Sequence, residues 1–330
     1  MTQNVNHVPT SASLEGLGPR GALRLEHFMY NKIMVPLDGS TFSEGALPMA
    51  MRLAERTGAG LHVVTVFEPV SSFTSSNWEA ATRRWGELYL GNIEGRLRGA
   101  IPGGLTTALL QGSPSQALTD EARRAGADLT VMATHGRGTV ARAWLGSVAD
   151  EFSRTHHGPV LLIRPGESGE SLLTERADIL IPLDGSDLSE EALDHAVALG
   201  ERCDSTFHLT RVVPRPPVLT SPYLVEAVGG AEEMLDDARE NAADYLEAHA
   251  DRLRRRGLQV TVSVVADQQP AKAILSEASA VGTDFIVMAT HGYRGIQRAL
   301  LGSTTDKVLR ASDIPLLLYR PPDQTHRAAS

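Results

Sequence analysis

The chain has 330 residues, 42% hydrophobic and 22% charged, the make-up of an ordinary globular protein with room for two domains. A formal net charge of −9 argues against a general nucleic-acid-binding surface, and the single cysteine, Cys203, excludes an internal disulfide and a cysteine-rich zinc site. No apolar run approaches the roughly 20 residues that span a bilayer, and the start MTQNVNHVPTSASLEG has no basic segment leading into an apolar core. The expectation is a cytoplasmic protein without a membrane or nucleic-acid partner.

Residues 1–28 are polar and read as a flexible arm. Lys32 to Asp38, KIMVPLD, is a continuous apolar strand of the kind buried on both faces. Gly39-Ser40-Thr41 turns the chain, and Ser43 is expected to cap a helix in which Ala46, Leu47, Ala50, Leu53 and Ala54 recur at helical spacing. Leu61 to Phe67 is a second strand. A loop at 69–77 leads to a helix ending near Arg98. Leu105 to Gln111 is a third strand, followed by a helix up to Gly126. Asp128 to Ala133 is the fourth strand. A helix from Gly146 reaches about His156, and Pro159 to Arg164, PVLLIR, is the fifth strand.

The order then repeats. Asp184-Gly185-Ser186 answers Asp38-Gly39-Ser40 at an offset of 184 − 38 = 146, and Ser189, Ala192, Leu193 and Ala196 keep that offset. Phe207 to Val213 answers the second strand. Beyond it Pro270, Gly292 and Gly302 answer Pro114, Gly136 and Gly146 at 156, so the second copy carries 156 − 146 = 10 extra residues. They are expected in a loop around Pro214 to Glu233, ahead of a helix from Met234 to Arg256. Pro315 to Arg320, PLLLYR, closes the copy. The expected division is a domain at 29–165, a linker at 166–177, a domain at 178–322 and a tail at 323–330. Apolar strands alternating with helices predict a parallel sheet covered on both faces. Ligands of such sheets sit beyond the strand carboxyl ends, where strand order reverses.

The densest repeat is Val131 to Ser147, VMATHGRGTVARAWLGS, which recurs at Val287 to Ser303 as VMATHGYRGIQRALLGS. A turn of small residues between a strand and a helix presents backbone N–H groups to an anion. The Gly-Ser nine residues later offers a second set of N–H groups and a hydroxyl. The plainer reading is that the glycines only permit tight turns.

These residues carry a resemblance. The two halves look like tandem universal stress protein domains, over about residues 30–165 and 177–321. ATP-binding members of that family carry Gly-x-x-Gly, nine residues, then Gly-Ser or Gly-Thr. Here the pattern is Ala133-Thr134-His135-Gly136 with Gly146-Ser147, and Ala289-Thr290-His291-Gly292 with Gly302-Ser303. Alanine replaces the first glycine in both copies. The family's early V-P-x-D-G-S stretch is matched by Val35 to Ser40 and by Ile181 to Ser186.

The resemblance implies two five-stranded, Rossmann-like α/β domains that pair inside one chain as a pseudo-dimer through their fifth strands, with a further homodimer open. It implies an adenine nucleotide, ATP accompanied by Mg²⁺. Pro36 and Asp38, with Pro182 and Asp184, would face the adenosine end, where a carboxylate accepts hydrogen bonds from an amine or ribose hydroxyls. Val66 and Val212 would flank the base, beside Met132, Ala133, Met288 and Ala289. The phosphates would meet His135, Gly136, Arg137, Gly146, Ser147 and Val148 in the first copy. In the second they would meet His291, Gly292, Tyr293, Gly302, Ser303, Thr304 and Thr305. The plainer readings are a turn-forming Asp before Gly and core valines.

Catalysis by His135 or His291 is not expected, because no serine or cysteine pattern pairs with them. His156-His157 is no metal pair, because adjacent helical residues point apart. Residues 136–141 fit G-x-G-x-x-A, yet they follow the fourth strand, and Tyr293-Arg294 break the pattern in the second copy. A phosphatase-like D-x-D-G-T stretch would need its nucleophilic Asp where Pro36 and Pro182 stand. No P-loop is present. The reading is a cytoplasmic, nucleotide-binding stress regulator without dedicated enzyme activity. The alternatives are a scaffold of the same fold that binds no nucleotide, and a slow ATPase or phosphoryl-transfer enzyme.

Overall fold

The computed structural model describes residues 30–68, 76–134, 145–164, 176–201, 204–215, 225–290 and 301–321. The expected arm, most of the linker, the tail and Cys203 lie outside the described residues. The first half runs β1 (Lys32–Pro36), α1 (Thr41–Glu44), α2 (Leu47–Thr57), β2 (Gly60–Phe67), α3 (Ser76–Leu97), β3 (Leu105–Gln111), α4 (Pro114–Ala125), β4 (Leu129–Ala133), α5 (Ser147–Thr155) and β5 (Gly158–Ile163). The second runs β6 (Asp178–Pro182), α6 (Asp187–Gly200), β7 (Thr206–Val213), α7 (Val225–Arg254), β8 (Gln259–Ala266), α8 (Pro270–Val281), β9 (Phe285–Ala289), α9 (Ser303–Ala311) and β10 (Leu316–Arg320).

Five strands from each half form one ten-stranded sheet in the order β3-β2-β1-β4-β5-β10-β9-β6-β7-β8. Pairing is parallel within each half. β5 and β10 join the halves antiparallel, with Leu161 opposite Leu317 and Val160 opposite Leu318. An all-apolar fifth strand left as an edge would seek a partner; here each covers the other, as the intrachain pseudo-dimer requires. Ion pairs cross the same seam on one face. Arg154 of α5 holds its own Asp150 at 2.9 Å and Asp306 of α9 at 2.8 Å, while Arg310 holds Asp306 at 2.9 Å.

Alternation along the strands splits the core into two layers. Ile33, Val35 and Leu37 face one cluster, which is built on α2, α3, α6 and α7. Met34 faces the other, built on α4, α5, α8 and α9. Both clusters contain residues of both halves.

The ten extra residues are not all loop. α7 begins at Val225, nine residues ahead of the expected Met234, and has 30 residues against 22 in α3. Most of the insertion therefore lengthens a helix.

Candidate functional site

Strand order reverses between β1 and β4 in the first half, and between β6 and β9 in the second. The chain leaves β1 outward through β2 and β3, then returns to β4 on the other side. The carboxyl ends of β1 and β4 thus flank a crevice, and the two repeated motifs sit on its rims.

On the first rim, Asp38 lies two residues past β1. Its Oδ1 accepts the Ser40 N–H at 2.9 Å and the Ser40 hydroxyl at 2.6 Å. Ser40 Oγ accepts the Ser43 N–H at 3.1 Å and so caps α1. The second half repeats this: Asp184 Oδ1 accepts from Ser186 N–H at 3.0 Å and hydroxyl at 2.5 Å, and Ser186 caps α6. Ser40 thus caps the four-residue α1, and the helix carrying Leu47, Ala50, Leu53 and Ala54 is the separate α2, whose N-cap is Ala46 with no side-chain cap, so the expected Ser43 cap is not formed. Ser43 already lies inside α1, and its hydroxyl donates back to the Ser40 carbonyl at 3.0 Å. Between Asp and Ser, Gly39 and Gly185 adopt φ of 80° and 86°, which side-chain-bearing residues rarely take. Each Asp thus spends one carboxylate oxygen on its own turn. Asp38 is half-buried and Asp184 exposed.

Val66, Met132, Val148, Val212 and Met288 lie on one face of the sheet, whereas Ala289 belongs to the cluster on the other. Val66 and Val148 are partly buried against the α4–α5 cluster that contains Met132, and Val212 and Met288 stand likewise in the second half. Pro36 and Pro182 are half-buried at the ends of β1 and β6; Ala133 and Ala289 are buried at the ends of β4 and β9.

On the second rim, the Thr134 N–H donates to the Ile163 carbonyl at 2.9 Å, and the Thr134 carbonyl accepts the Gly146 N–H at 2.6 Å. Thr290 and Gly302 repeat the tie at 2.6 Å. The loop between strand and helix is stapled at its base in both halves. This corrects one expectation: the N–H groups of Gly146 and Gly302 are spent on that staple. Both glycines are N-caps without a side-chain cap. The amides that the helix geometry leaves for an anion are those of the first helical positions, Ser147 and Val148, and Ser303 and Thr304. Ser147 and Ser303 are exposed. A second correction concerns Thr305, whose buried hydroxyl donates to the Ala289 carbonyl at 3.0 Å and turns away from any phosphate. His135, Gly136, Arg137, His291, Gly292 and Tyr293 lie outside the described residues.

In the second half a cleft of about 950 Å³ opens at Ser303 and Thr304 and runs between α8 and α9, past Lys272, Ser276 and Lys307. Its volume falls in the range of small-molecule sites. The sequence motifs miss both lysines. The available signal is rarity: the chain has three lysines in all, Lys32, Lys272 and Lys307.

A separate buried charge cluster lies near the amino end of β2. His62 Nε2 meets Glu121 Oε1 at 2.6 Å, and Arg124 Nε donates to Glu121 Oε2 at 2.6 Å. The Arg124 guanidinium, with His62, holds the Glu121 carboxyl below its usual range against the effect of burial. It joins β2 to α4 at the opposite end from the crevice. Among the described residues no group of three or more His, Cys, Asp or Glu is placed to hold a metal ion, and no helix is long and apolar enough to cross a membrane.

Comparison with known proteins agrees with the repeat. The model of the universal stress protein family matches residues 29–164 and again 176–320. The chain is 31% identical over 146 residues to universal stress protein YxiE of Bacillus subtilis, covering 43% of this chain and 97% of that protein. It is 25% identical over 303 residues to a universal stress protein of Mycolicibacterium smegmatis, covering 88% of this chain and 97% of that one. The crystal structure of a universal stress protein from Archaeoglobus fulgidus shares the fold, with a TM-score of 0.67 at 18% identity, over 91% of this chain and 99% of that one. With both halves matched and a full-length tandem relative, the chain belongs to the universal stress protein family, as a member that carries two family domains in one polypeptide.

Proposed function

We propose that each half binds an adenine nucleotide in the crevice at its strand-order reversal, and that the protein acts as a cytoplasmic, ATP-responsive regulator and not as a dedicated enzyme. One observation carries the reading: the pairing, repeated in both halves, of an Asp-Gly-Ser turn on one rim with an uncapped helix start on the other. The first suits the hydroxyls of a ribose or the amine of a base, and the second suits phosphate oxygens. Val66, Met132 and Val148 in the first half, and Val212 and Met288 in the second, supply an apolar wall on the face between the rims. Mg²⁺ would ride on the phosphates with water as its remaining ligands, which is the ordinary coordination of that ion beside a polyphosphate. Among the described residues no group in the crevice is set out as a general base, so hydrolysis of bound ATP is slow in this reading.

The test uses substitutions that disfavour phosphate without harming the fold. Ser147→Glu and Ser303→Glu place a carboxylate at the first position of α5 or α9, where it complements the helix dipole and leaves stability unchanged or slightly raised. Purified wild-type protein is denatured and released nucleotide identified by chromatography; ATP is then titrated against wild type, each variant and both together. The expected result is loss of one site in each single variant and of all binding in the double. No released nucleotide, with no binding at millimolar ATP, would sink the reading in favour of a scaffold.

A further inference from the structure

Two of the chain's three lysines line the cleft between α8 and α9. Among the described residues neither Lys272 nor Lys307 has an ion-pair or hydrogen-bond partner. Several arginines around the molecule behave differently: Arg124, Arg154, Arg256 and Arg310 are all held by carboxylates. Exposed Arg84 and Arg98 also lack a partner among the described residues, so what sets the two lysines apart is that they meet in one cleft, and that convergence calls for a physical reason.

Folding does not supply it. Lys272 is the third residue of α8 and Lys307 the fifth of α9. Lys272, in the first turn of α8, opposes the helix macrodipole, while Lys307 lies past the first turn of α9, where that effect has faded and gives the lysine no benefit. Neither helix has a side-chain cap; their N-cap residues are Gln269 and Gly302. Two ammonium groups and two uncapped helix starts therefore share one volume, together with the Ser276, Ser303 and Thr304 side chains.

The first half provides an internal control. At the offset of 156, Lys272 answers Gln116 (272 − 156) and Lys307 answers Glu151 (307 − 156). The pair contributes +2 in one half and −1 in the other, a difference of 2 − (−1) = 3 charges. Gln116 moreover donates to the Asp120 carboxylate at 3.0 Å, on the same helix. An otherwise repeated fold has been given opposite electrostatics on one groove.

We infer that the α8–α9 cleft of the second half binds the phosphate chain of a polyphosphorylated ligand, with Lys272 and Lys307 as its charge partners, and that the first half lacks this capacity. The two halves then divide the work: the second selects a triphosphate over a monophosphate, while the first discriminates little or prefers the less charged ligand. The adenosine end of the ligand rests on the nucleotide reading above; the phosphate end rests on the cleft alone. Charge-assisted contacts of this kind are strong but open to salt.

Inorganic tripolyphosphate is the probe, titrated calorimetrically into the full chain at low and high salt, with ATP and adenosine as companions. Removing both lysines (Lys272→Ala with Lys307→Ala) is expected to weaken tripolyphosphate and ATP binding by about 30-fold or more, at about five- to tenfold per charge, and to leave adenosine unchanged. Both side chains are exposed, so the fold is kept; circular dichroism checks it. Replacing both by arginine retains most of the affinity. Placing lysines in the first half (Gln116→Lys with Glu151→Lys) adds a second tripolyphosphate site. Absent tripolyphosphate binding, or binding indifferent to the lysines, overturns the inference even when adenosine and ATP still bind. Lysine-dependent tripolyphosphate binding without adenosine binding upholds the cleft and removes the nucleotide reading instead.

Discussion

His156 closes α5 with its ring stacked on Phe152, centroids 4.4 Å apart, and His195 lies 4.2 Å from the Tyr319 ring. Burial pushes each imidazole down to about 4, with His157 and Arg123 adding to the shift at His156. The charged form of each is thus disfavoured in the folded chain. Such a histidine contributes stability that is full above its ordinary value of 6.5 and is lost as pH falls through about 4. The shift corresponds to about 3 kcal/mol per histidine. Asp194 works with the opposite sign. Burial raises it to about 6, opposed by Arg256 and helped by Glu191, so its contribution is present at low pH and lost as pH rises through about 6. Urea unfolding at pH 8, 6 and 4 should show wild type weakening toward acid, His156→Gln flattening that loss, and Asp194→Asn gaining stability at pH 8 but not at pH 4. A wild-type stability equal at all three values contradicts the account. The sequence was uneven at this scale. Asp38, Gly39 and Ser40 were legible because a turn with a positive φ permits few residues. Lys272 and Lys307 were not, because 35 positions separate them (307 − 272) and only the packing of two helices brings them to one cleft.

Elements meet where backbone approaches backbone. The loop from α3 to β3 passes so close to the start of β2 that a Cβ on Gly103 would lie 2.3 Å from the Gly60 nitrogen and 2.4 Å from the Ala59 carbonyl carbon. Neither is the end of a flexible side chain, so the strand itself has to move. Gly103→Ala should destabilise by about 1–3 kcal/mol, as overpacking does. Gly91 lies in the exposed interior of α3 with open space around its Cβ position. Gly91→Ala should stabilise by about 0.5–1 kcal/mol through backbone entropy alone. Denaturant midpoints of the two variants should move in opposite directions; a shift of the same sign in both refutes the packing argument. The strands given bounds from their apolar runs agree to within two residues at their ends, whereas β8 was expected only through the repeat. The start of α7 was not. The stretch up to Glu233 was expected as loop, yet helix already runs through Gly229-Gly230, because an interior Gly costs only about 1 kcal/mol. Counting repeats revealed ten extra residues without revealing which element holds them.

At the scale of the molecule, the seam decides whether the halves behave as two domains or one. The repeat and the apolar fifth strands made the pairing of halves legible; what they did not disclose is how completely the cores merge. Leu161 and Leu317 face each other across β5 and β10 and belong to one cluster, while Leu162 and Leu318 belong to the other, so each core layer runs through the junction. The Arg154–Asp306 pair adds little by itself, since partly exposed ion pairs contribute at most about 1 kcal/mol. Apolar burial at the seam is the larger effect. Exposing either face of β5 or β10 would strand leucines in water and open a bare sheet edge, so neither half can unfold while the other keeps its core. The full chain should therefore melt in one calorimetric transition, with calorimetric and van't Hoff enthalpies in agreement. Leu317 is fully buried, and Leu317→Ala should cost about 2–5 kcal/mol. If the seam couples the halves, that substitution lowers the single transition as a whole. Two separate transitions in wild type, or a Leu317→Ala variant in which only part of the heat uptake shifts, would mean that the ten-stranded sheet is a contact between independent domains.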